Sequence, residues 1–373
     1  MSKNKVTLGC AAIVKNEAYV IKEALLTCKD LFDEFFILDT GSTDGTQAVL
    51  TEAGIKWQQV HMTGDVSAMR NEAIKQVQSD WILMLDADEV IAPEAVAAIR
   101  NLIASAEHDA YWINQCDCPR GQRSSVVSCA VPRLFRRSSG VHYGRPTNET
   151  FIDHQGQLPP LRVVPVCISH WGNIAFLEEF PEKKQEKLNI KIGLMAEWLK
   201  SHPQDTEGWI YIGQVYAIIG DYKKYYECFD RAFGSAKPGV QKVFVLEQLC
   251  VAADKLRDLD KLFMVCRILQ EADPENAIAL YHLSMLAIAQ GHVEQGMDGL
   301  ITMIDCPVPD RRPYRAFTHY FSRLRYVTLG KLFEQRGEWR KARKVYEHGA
   351  QHFGDAMVKE LLQKATEAVG IGT

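Results

Sequence analysis

Short apolar runs alternate with amphipathic segments through the first half of the chain. Runs of strand length, bounded by polar residues, are typical of strands covered on both faces. A strand–helix rhythm of this kind predicts right-handed βαβ units and a mostly parallel sheet. We expect strands at 7–14, 34–38, 56–62 and 81–85, and helices at 18–29, at 67–77, from a turn at 39–46 through Ala53, and from Pro93.

The pattern becomes less regular past Ala106 and changes again near residue 178. Strands are expected at 110–114 and 131–137, with a polar loop at 116–128 between them. After a long helix to about Lys200, large and small residues recur with the period of about 34 that is typical of tetratricopeptide helix pairs. These changes predict three parts: an α/β domain at 1–177, a linking helix at 178–204 and a helical-repeat domain at 205–373.

Glycines recur in the second half where the two helices of a predicted pair cross. Gly213, Gly296 and Gly330 are examples, and small residues at a crossing allow the large ones to fill the grooves. The repeats could support the first domain, bind a protein or peptide along a concave surface, or mediate self-association.

The apolar run 81–85 ends in three carboxylates, Asp86, Asp88 and Glu89. Alternate strand residues point the same way, so Asp86 and Asp88 are expected to project together at the strand's carboxyl end, where α/β sheets bind ligands. Neighbouring carboxylates favour a cation between them, and a hard divalent ion that also binds phosphate oxygens suits them. The alternative is that these acids cap the helix that begins at Pro93.

The turn 39–46 is rich in glycine and in side chains that accept hydrogen bonds. Such residues can simply shape a turn and cap a helix. Alternatively, the helix N-terminus and the carboxylate of Asp39 could bind a nucleotide. The turn has neither a Walker Gly-Lys-Ser/Thr nor a Gly-x-Gly-x-x-Gly pattern, which argues against kinase-like and dehydrogenase functions.

Composition excludes several classes of protein. The net charge of the 373 residues is -4, which argues against general binding of nucleic acid. No apolar stretch approaches the roughly 18 residues of a transmembrane helix. The chain shows no secretion signal, so we expect reduced cysteines and a cytoplasmic protein, with the inner face of the membrane as an alternative place of action. Cys116-Asp117-Cys118 with Cys129 invites a zinc interpretation, but this spacing fits no common zinc motif.

Four motifs occur in the order and spacing of family 2 glycosyltransferases of the GT-A fold: Lys15-Asn16-Glu17, the turn 39–46, Arg70-Asn71 and Asp86-Ala87-Asp88-Glu89. The chain resembles the branch with appended tetratricopeptide-type helices, which is similar to bacteriocin S-glycosyltransferases and cell-envelope sugar transferases. The resemblance covers roughly residues 7–175 by motif and the helical remainder by pattern. It implies an α/β GT-A domain with a Rossmann-like, mostly parallel sheet, followed by an all-α tetratricopeptide-like domain.

The resemblance implies a nucleoside-diphosphate sugar as donor. The backbone near Val14 and the side chain of Glu17 would line the base pocket, and Asp39 would contact the nucleoside. Arg70 would face the ribose or the diphosphate, since a guanidinium offers several donors to phosphate oxygens. Thr40 stands where many relatives of this family carry a second acid. The identity of the donor's base is therefore not determined by the resemblance, and uridine is the default.

The resemblance also implies a divalent cation, Mn²⁺ or Mg²⁺. Asp88 would ligate the ion directly, and Asp86 would contact the ribose or support the ion. His170, in the segment Ile168-Ser169-His170-Trp171-Gly172, would reach the ion or the diphosphate, with a core histidine as the alternative.

Residues 133–149 resemble the family's acceptor-side motifs, with Asn148 in the place of a histidine. Glu149 follows it and is the candidate general base, because inverting transfer requires a carboxylate that removes the acceptor's proton. The arginines of this segment could offset charge on the leaving diphosphate; they are Arg133, Arg136, Arg137 and Arg145.

The predicted function is inverting transfer of a sugar, by default from a UDP-sugar, to a glycan, a lipid-linked acceptor or a peptide or protein. Three alternatives stay open: a catalytically degenerate scaffold that binds protein partners, a sugar nucleotidyltransferase, and a hydrolase of activated sugars.

Overall fold

A computed structural model describes residues 5–61, 64–123, 129–157, 159–160, 162–171, 181–307, 323–353 and 355–371. The chain divides into two units, Met1–Pro203 and Gln204–Thr373. The functional division at 177 and 204 stays a prediction, and residues 172–180 lie outside the described ranges.

The first unit contains an eight-stranded sheet. Its strands are β1 (Leu8–Val14), β2 (Glu34–Asp39), β3 (Lys56–Gln59), β4 (Trp81–Asp86), β5 (Glu89–Ile91), β6 (Ala110–Asp117), β7 (Cys129–Arg136) and β10 (Val163–His170). They lie in the order β3-β2-β1-β4-β7-β6-β10-β5. The neighbouring strands β3, β2, β1 and β4 are parallel, as are β6 and β10, whereas the pairs β4–β7, β7–β6 and β10–β5 are antiparallel. A separate hairpin joins β8 (His142–Gly144) and β9 (Thr150–Ile152).

The central strands are covered on both faces, as their continuous apolar runs predict. In β4, Leu83 and Leu85 enter one hydrophobic cluster, whereas Ile82 and Met84 enter another. The helices of this part are α1 (Thr46–Glu52), α2 (Val66–Lys75) and α3 (Pro93–Ile103). The expected α/β domain with a mixed, mostly parallel sheet is confirmed.

Two local predictions in this unit are wrong. Segment 18–29 does not form one α-helix: turns run to residue 24, and a 3-10 helix follows at Leu25–Leu31. The start of that segment is held by a neighbouring loop, because Ala18 N–H donates to Asp44 Oδ2 (3.0 Å). The polar loop expected at 116–128 begins later, since Cys116 and Asp117 complete β6; residues 124–128 lie outside the described ranges.

A long helix, α4 (Pro181–Ser201), ends the first unit, and helix pairs follow in the second. Along the described residues the pairs are α5 (Thr206–Ile219) with α6 (Tyr222–Ser235), α7 (Val240–Leu256) with α8 (Leu259–Ala272), α9 (Ala277–Ala289) with α10 (Val293–Ile304), and α11 (Arg325–Gln335) with α12 (Trp339–Phe353), before α13 (Ala356–Ile371). Among the described residues, every helix is too short or too polar to span a lipid bilayer.

The predicted glycine positions lie where paired helices cross. A Cβ atom on Gly213 would lie 2.6 Å from the Phe229 ring, and one on Gly330 would lie 2.2 Å from the Tyr346 ring. Each glycine therefore admits an aromatic ring of its partner helix at a distance that no larger residue permits. The tetratricopeptide-like packing inferred from the repeat pattern is confirmed.

Candidate active site

The loops that follow β1 and β2 hold each other in place. Hydrogen bonds of 2.7–3.0 Å join Asn16 to Ser42 and Thr43, Glu17 to Thr46, and Ala18 to Asp44. Asn16 adopts a positive φ of 58°, which asparagine tolerates better than most residues. The Lys-Asn-Glu motif and the turn 39–46 are therefore one structural unit at the carboxyl edge of the sheet.

Asp39 ends β2 with one carboxylate oxygen occupied and the other unpaired. Its Oδ1 accepts from the N–H groups of Gly41 (3.0 Å) and Ser42 (2.9 Å) and from Gln47 Nε2 (3.1 Å). Burial opposes ionisation of this fully buried side chain, but the bonds from Ser42 and Gln47 outweigh it and lower the pKa of Asp39. Its Oδ2 is buried and has no hydrogen-bond partner within the described residues. The site therefore presents one ionised acceptor that lacks a donor.

Val14 lies opposite Asp39, and Glu17 follows in the loop after β1. Val14 is paired with Asp39 in the sheet register, and its carbonyl accepts both the N–H (2.9 Å) and the hydroxyl (3.0 Å) of Thr40. Glu17 is half-buried in the loop that follows. Thr40 therefore joins the ends of β1 and β2.

Asp86, at the end of β4, is held between two arginines. Its Oδ1 accepts from Arg70 Nη2 at 2.7 Å, and its Oδ2 accepts from Arg133 Nη2. Arg133 also donates to Oε1 of the fully buried Glu89 (2.7 Å), whose Oε2 accepts the Asp86 N–H (2.8 Å). Burial would raise the pKa of Asp86, but Arg133 and Arg70 hold it well below its usual range. Asp86 is therefore ionised and fixed in orientation.

Helix α2 connects Asp86 with the β8–β9 hairpin. Asn71 binds both backbone groups of Tyr143, donating to its carbonyl and accepting from its N–H, each at 2.8 Å. Ser67 Oγ donates to the carbonyl of Gly144 (2.8 Å). The Arg70 guanidinium on the same helix lies 5.5 Å from the centre of the Tyr143 ring. The Arg70-Asn71 motif therefore places the hairpin relative to the strand ends.

Glu149 lies between β8 and β9, close to Arg70. The Nε of Arg70 is 4.0 Å from Glu149 Oε1, too far for a hydrogen bond. The Nε and Nη1 atoms of Arg70 are buried and have no hydrogen-bond partner in the described part of the chain. Arg145 and Asn148 both have a positive φ, of 64° and 52°, an arrangement that is concentrated at functional sites. An anion at this place would find unused donors beside a carboxylate.

Asp88 and His170 face each other across the turn after β4. His170 Nε2 lies 3.5 Å from Asp88 Oδ2, and its Nδ1 lies 3.0 Å from Asp117 Oδ1. Burial raises the pKa of Asp88 despite the neighbouring imidazole. Burial alone would lower the pKa of His170, but Asp88 and Glu89 outweigh it and raise that pKa. Both pKa values are raised, as expected for a buried site with an excess of carboxylates.

The donor set fits a divalent cation that is shared with a ligand. A carboxylate oxygen and an imidazole nitrogen, from Asp88 and His170, converge at one point. Among the described residues no three His, Cys, Asp or Glu side chains form a site made by the protein alone. Mg²⁺ is commonly held by one or two carboxylates together with substrate phosphates and water.

Some expectations for this site are wrong. Arg136 and Arg137 lie at the opposite end of β4, where Arg136 pairs with Trp81 in the register and its side chain binds Asp109 (2.8 Å). They cannot offset charge on a diphosphate at the carboxyl end. The carboxylates at 86–89 do not cap α3 either, because its N-cap residue Ala92 receives no side-chain cap.

The sequence did not reveal the partners of two further acids at the site. Glu89 serves as the buried partner of Arg133, and Asp117 binds His170 from the next strand. Each partnership spans more than forty residues, so only the strand order could have indicated it. The free thiols of Cys116 and Cys118 take no part, and burial raises the pKa of Cys116 to about 12.

Comparison with known proteins agrees with this arrangement. Residues 11–138 match the model of the family described as Glycosyl transferase family 2. A TPR repeat-containing protein of Synechococcus elongatus is 28% identical over 337 residues, covering 87% of this chain and 70% of the relative. The SPbeta prophage-derived glycosyltransferase SunS of Bacillus subtilis is 22% identical over 365 residues, covering 96% of this chain and 83% of SunS.

Among solved structures, that of S. aureus TarS matches with a TM-score of 0.42 and 13% identity, over 69% of this chain and 54% of TarS. The family match falls within the sheet-containing first unit, and the two relatives, one named for TPR repeats and the other a glycosyltransferase, each align with most of this chain. Residues 11–138 thus match glycosyltransferase family 2, and in this chain the matched part is followed by tetratricopeptide-like repeats.

Proposed function

We propose that the chain is an inverting glycosyltransferase that uses a UDP-sugar and a divalent cation. The observation that supports it best is the unpaired, buried Oδ2 of Asp39 beside an already saturated Oδ1. Uracil presents a single N–H between two carbonyl oxygens and would satisfy this acceptor. Cytosine presents an unprotonated ring nitrogen at that position, which would face the carboxylate with an unfavourable lone pair.

The diphosphate of the donor would lie between Asp88 with His170 on one side and the unused N–H groups of Arg70 on the other. Asp88 and His170 would hold Mn²⁺ or Mg²⁺, which neutralises charge on the leaving diphosphate when it is bound. Asp86 would hold the ribose while its charge is balanced by Arg70 and Arg133.

Glu149 would act as general base. As an acceptor oxygen or sulfur attacks the anomeric carbon, its proton passes to the Glu149 carboxylate, and the bond from that carbon to the diphosphate oxygen breaks with the electron pair leaving on the diphosphate. Attack opposite the leaving group inverts the anomeric centre. The hairpin that carries Glu149 is fixed to α2 by Asn71 and Ser67, which supports a fixed position for the base.

The acceptor would be a glycan, a lipid-linked sugar, or a peptide or protein bound with help from the repeats. The likeness to a named glycosyltransferase and to a TPR repeat-containing protein supports this choice of classes. Tetratricopeptide-type solenoids expose extended surfaces for such partners.

The test begins with calorimetric binding of UDP, GDP, CDP and ADP to the full chain, each with Mn²⁺ and with EDTA. UDP should bind with Mn²⁺ and lose affinity in EDTA, and the variant Asp88→Asn should lose the effect of the metal. UDP-sugars that bind are then incubated with candidate acceptors, and released UDP is measured. Release of pyrophosphate would indicate a nucleotidyltransferase, and absence of nucleotide binding would leave a degenerate scaffold as the better explanation.

A further inference from the structure

We propose that Asp117 is a positioning residue for the metal ligand His170. It would fix the tautomer and the ring orientation of the imidazole, so that Nε2 is presented toward Asp88. This inference rests on the proposed function, because it concerns the ion that Asp88 and His170 would hold.

The position of Asp117 follows from the pairing of β6 with β10. Asp117 and His170 are the last residues of these parallel strands and stand opposite each other in the register. Their backbones are joined as well, since the Cys118 N–H donates to the His170 carbonyl (3.0 Å). The Trp171 N–H donates to the carbonyl of Asp88 (3.2 Å). Both the imidazole and its partner carboxylate therefore sit on fixed backbone.

The contact between the two side chains determines which ring nitrogen is available. A neutral imidazole has one N–H, and donation of it from Nδ1 to Asp117 Oδ1 (3.0 Å) leaves a lone pair on Nε2. That lone pair lies 3.5 Å from Asp88 Oδ2. Two acceptors at this distance in a buried place repel each other unless a cation binds both. Metal-bound histidines usually donate their second N–H to a carboxylate, and loss of that partner typically lowers metal affinity 10–100-fold.

Within the segment Cys116-Asp117-Cys118, Asp117 is the residue that can orient the His170 imidazole. Cys116 is fully buried, and the Cys118 thiol donates to the carbonyl of Gln122 (3.2 Å). Of these three side chains, that of Asp117 contacts the His170 imidazole on β10. The rival explanation is a purely structural role, with a protonated His170 held between the two carboxylates.

The experiment measures Mn²⁺ affinity of the full chain in the presence of UDP, by calorimetry and by the electron paramagnetic resonance signal of free Mn²⁺. Asp117→Ala should weaken Mn²⁺ binding about 10–100-fold. Asp117→Asn keeps an oxygen that can accept from Nδ1, so its loss should be smaller. Asp109→Asn is the matched control, because Asp109 is an exposed acid just before β6 whose partner is Arg136, and this variant should bind Mn²⁺ like the wild type.

A second readout separates positioning from support of the fold. Nitrogen-15 spectra of the imidazoles, with His170 identified by the signal missing in His170→Gln, should show the Nδ1–H tautomer in the wild type with Mg²⁺. In Asp117→Ala that preference should be lost while thermal unfolding without metal shifts little. Wild-type Mn²⁺ affinity in Asp117→Ala would overturn the inference alone. A wild-type chain that binds neither Mn²⁺ nor UDP would overturn the proposed function and this inference together.

Discussion

Replacement of Asp39 by asparagine should change which base the chain prefers. In the wild type, three donors surround Oδ1 of Asp39, and among the described residues no hydrogen-bond donor reaches its Oδ2. In Asp39→Asn the same three donors require an oxygen at the first position, so the amide nitrogen must take the place of Oδ2. The variant therefore presents a donor where the wild type presents a charged acceptor.

The size of the effect follows from the hydrogen bond that is lost. A hydrogen bond from the uracil N–H to the Asp39 carboxylate contributes about 1.5–3 kcal/mol to binding. In Asp39→Asn the amide N–H would face the uracil N–H, so both donors would be buried without an acceptor. A total of about 3 kcal/mol corresponds to roughly 100-fold weaker UDP binding. Cytosine offers an acceptor at that position, and a neutral hydrogen bond of about 1 kcal/mol should tighten CDP binding roughly five-fold.

The assay is calorimetric titration of UDP and CDP into the wild type and the variant with Mn²⁺. Asp44→Asn is the matched control, because both Asp44 oxygens already bind the protein at Thr46 and Ala18. Asp44→Asn can destabilise the loop, but it should weaken the binding of UDP and of CDP by the same factor. An unchanged ratio of UDP to CDP affinity in Asp39→Asn would refute the assignment of Asp39 to the base.

Three other outcomes are expected. Glu149→Gln should retain UDP affinity but slow UDP release from donor and acceptor by about 10²–10⁴-fold; full activity would place the base elsewhere. Hydrogen bonds and ion pairs with Arg100 and Lys5 outweigh desolvation and lower the pKa of Asp33 to about 2. Asp33 is an exposed residue, so solvent screening reduces the effect, and Asp33→Asn should lose about 1 kcal/mol of unfolding free energy at pH 7. Because the folded pKa is depressed, the deficit in chemical denaturation should vanish as the pH falls from about 4 to about 2, and a constant deficit would contradict this. Gly330→Ala should lower the free energy of unfolding, measured by thermal denaturation, by about 1–3 kcal/mol, because the added Cβ would lie 2.2 Å from the Tyr346 ring. Gly234→Ala is the control, since a Cβ at Gly234 would meet open space, and it should not lower this free energy.

The sequence predicted those parts of the fold that depend on local pattern. The strands β1, β2 and β4 lie within one residue of their expected bounds, because each is a continuous apolar run between polar residues. The helix pairs were predicted for a similar reason, since large and small residues recur with a period of about 34. Segment 18–29 failed because loop contacts to Asp44 and Thr46, and not its own apolar spacing, determine its backbone.

The candidate site was predicted only in part. The sequence identified Asp39, Asp86, Asp88 and Glu149 as chemistry-bearing residues, and their roles stay predictions. Strand alternation did not suffice to place Asp88, because β4 ends at Asp86 and a turn follows. The contacts of Asp117 and Glu89 depend on the order β7-β6-β10-β5, which short strands with long sequence separations do not reveal.

The attachment of the hairpin to α2 has a consequence for protein engineering. Ser67 and Asn71 hold the hairpin at Gly144 and Tyr143, while Arg70 of the same helix binds Asp86. A chimera that exchanges residues 142–152 alone would combine a foreign hairpin with the α2 helix of this chain, and the hydrogen bonds from Ser67 and Asn71 would then have to form with a backbone that evolved against a different helix. Recombination to alter the acceptor range should therefore transplant 65–75 and 142–152 as one cassette, with the parallel strands left as the recipient framework.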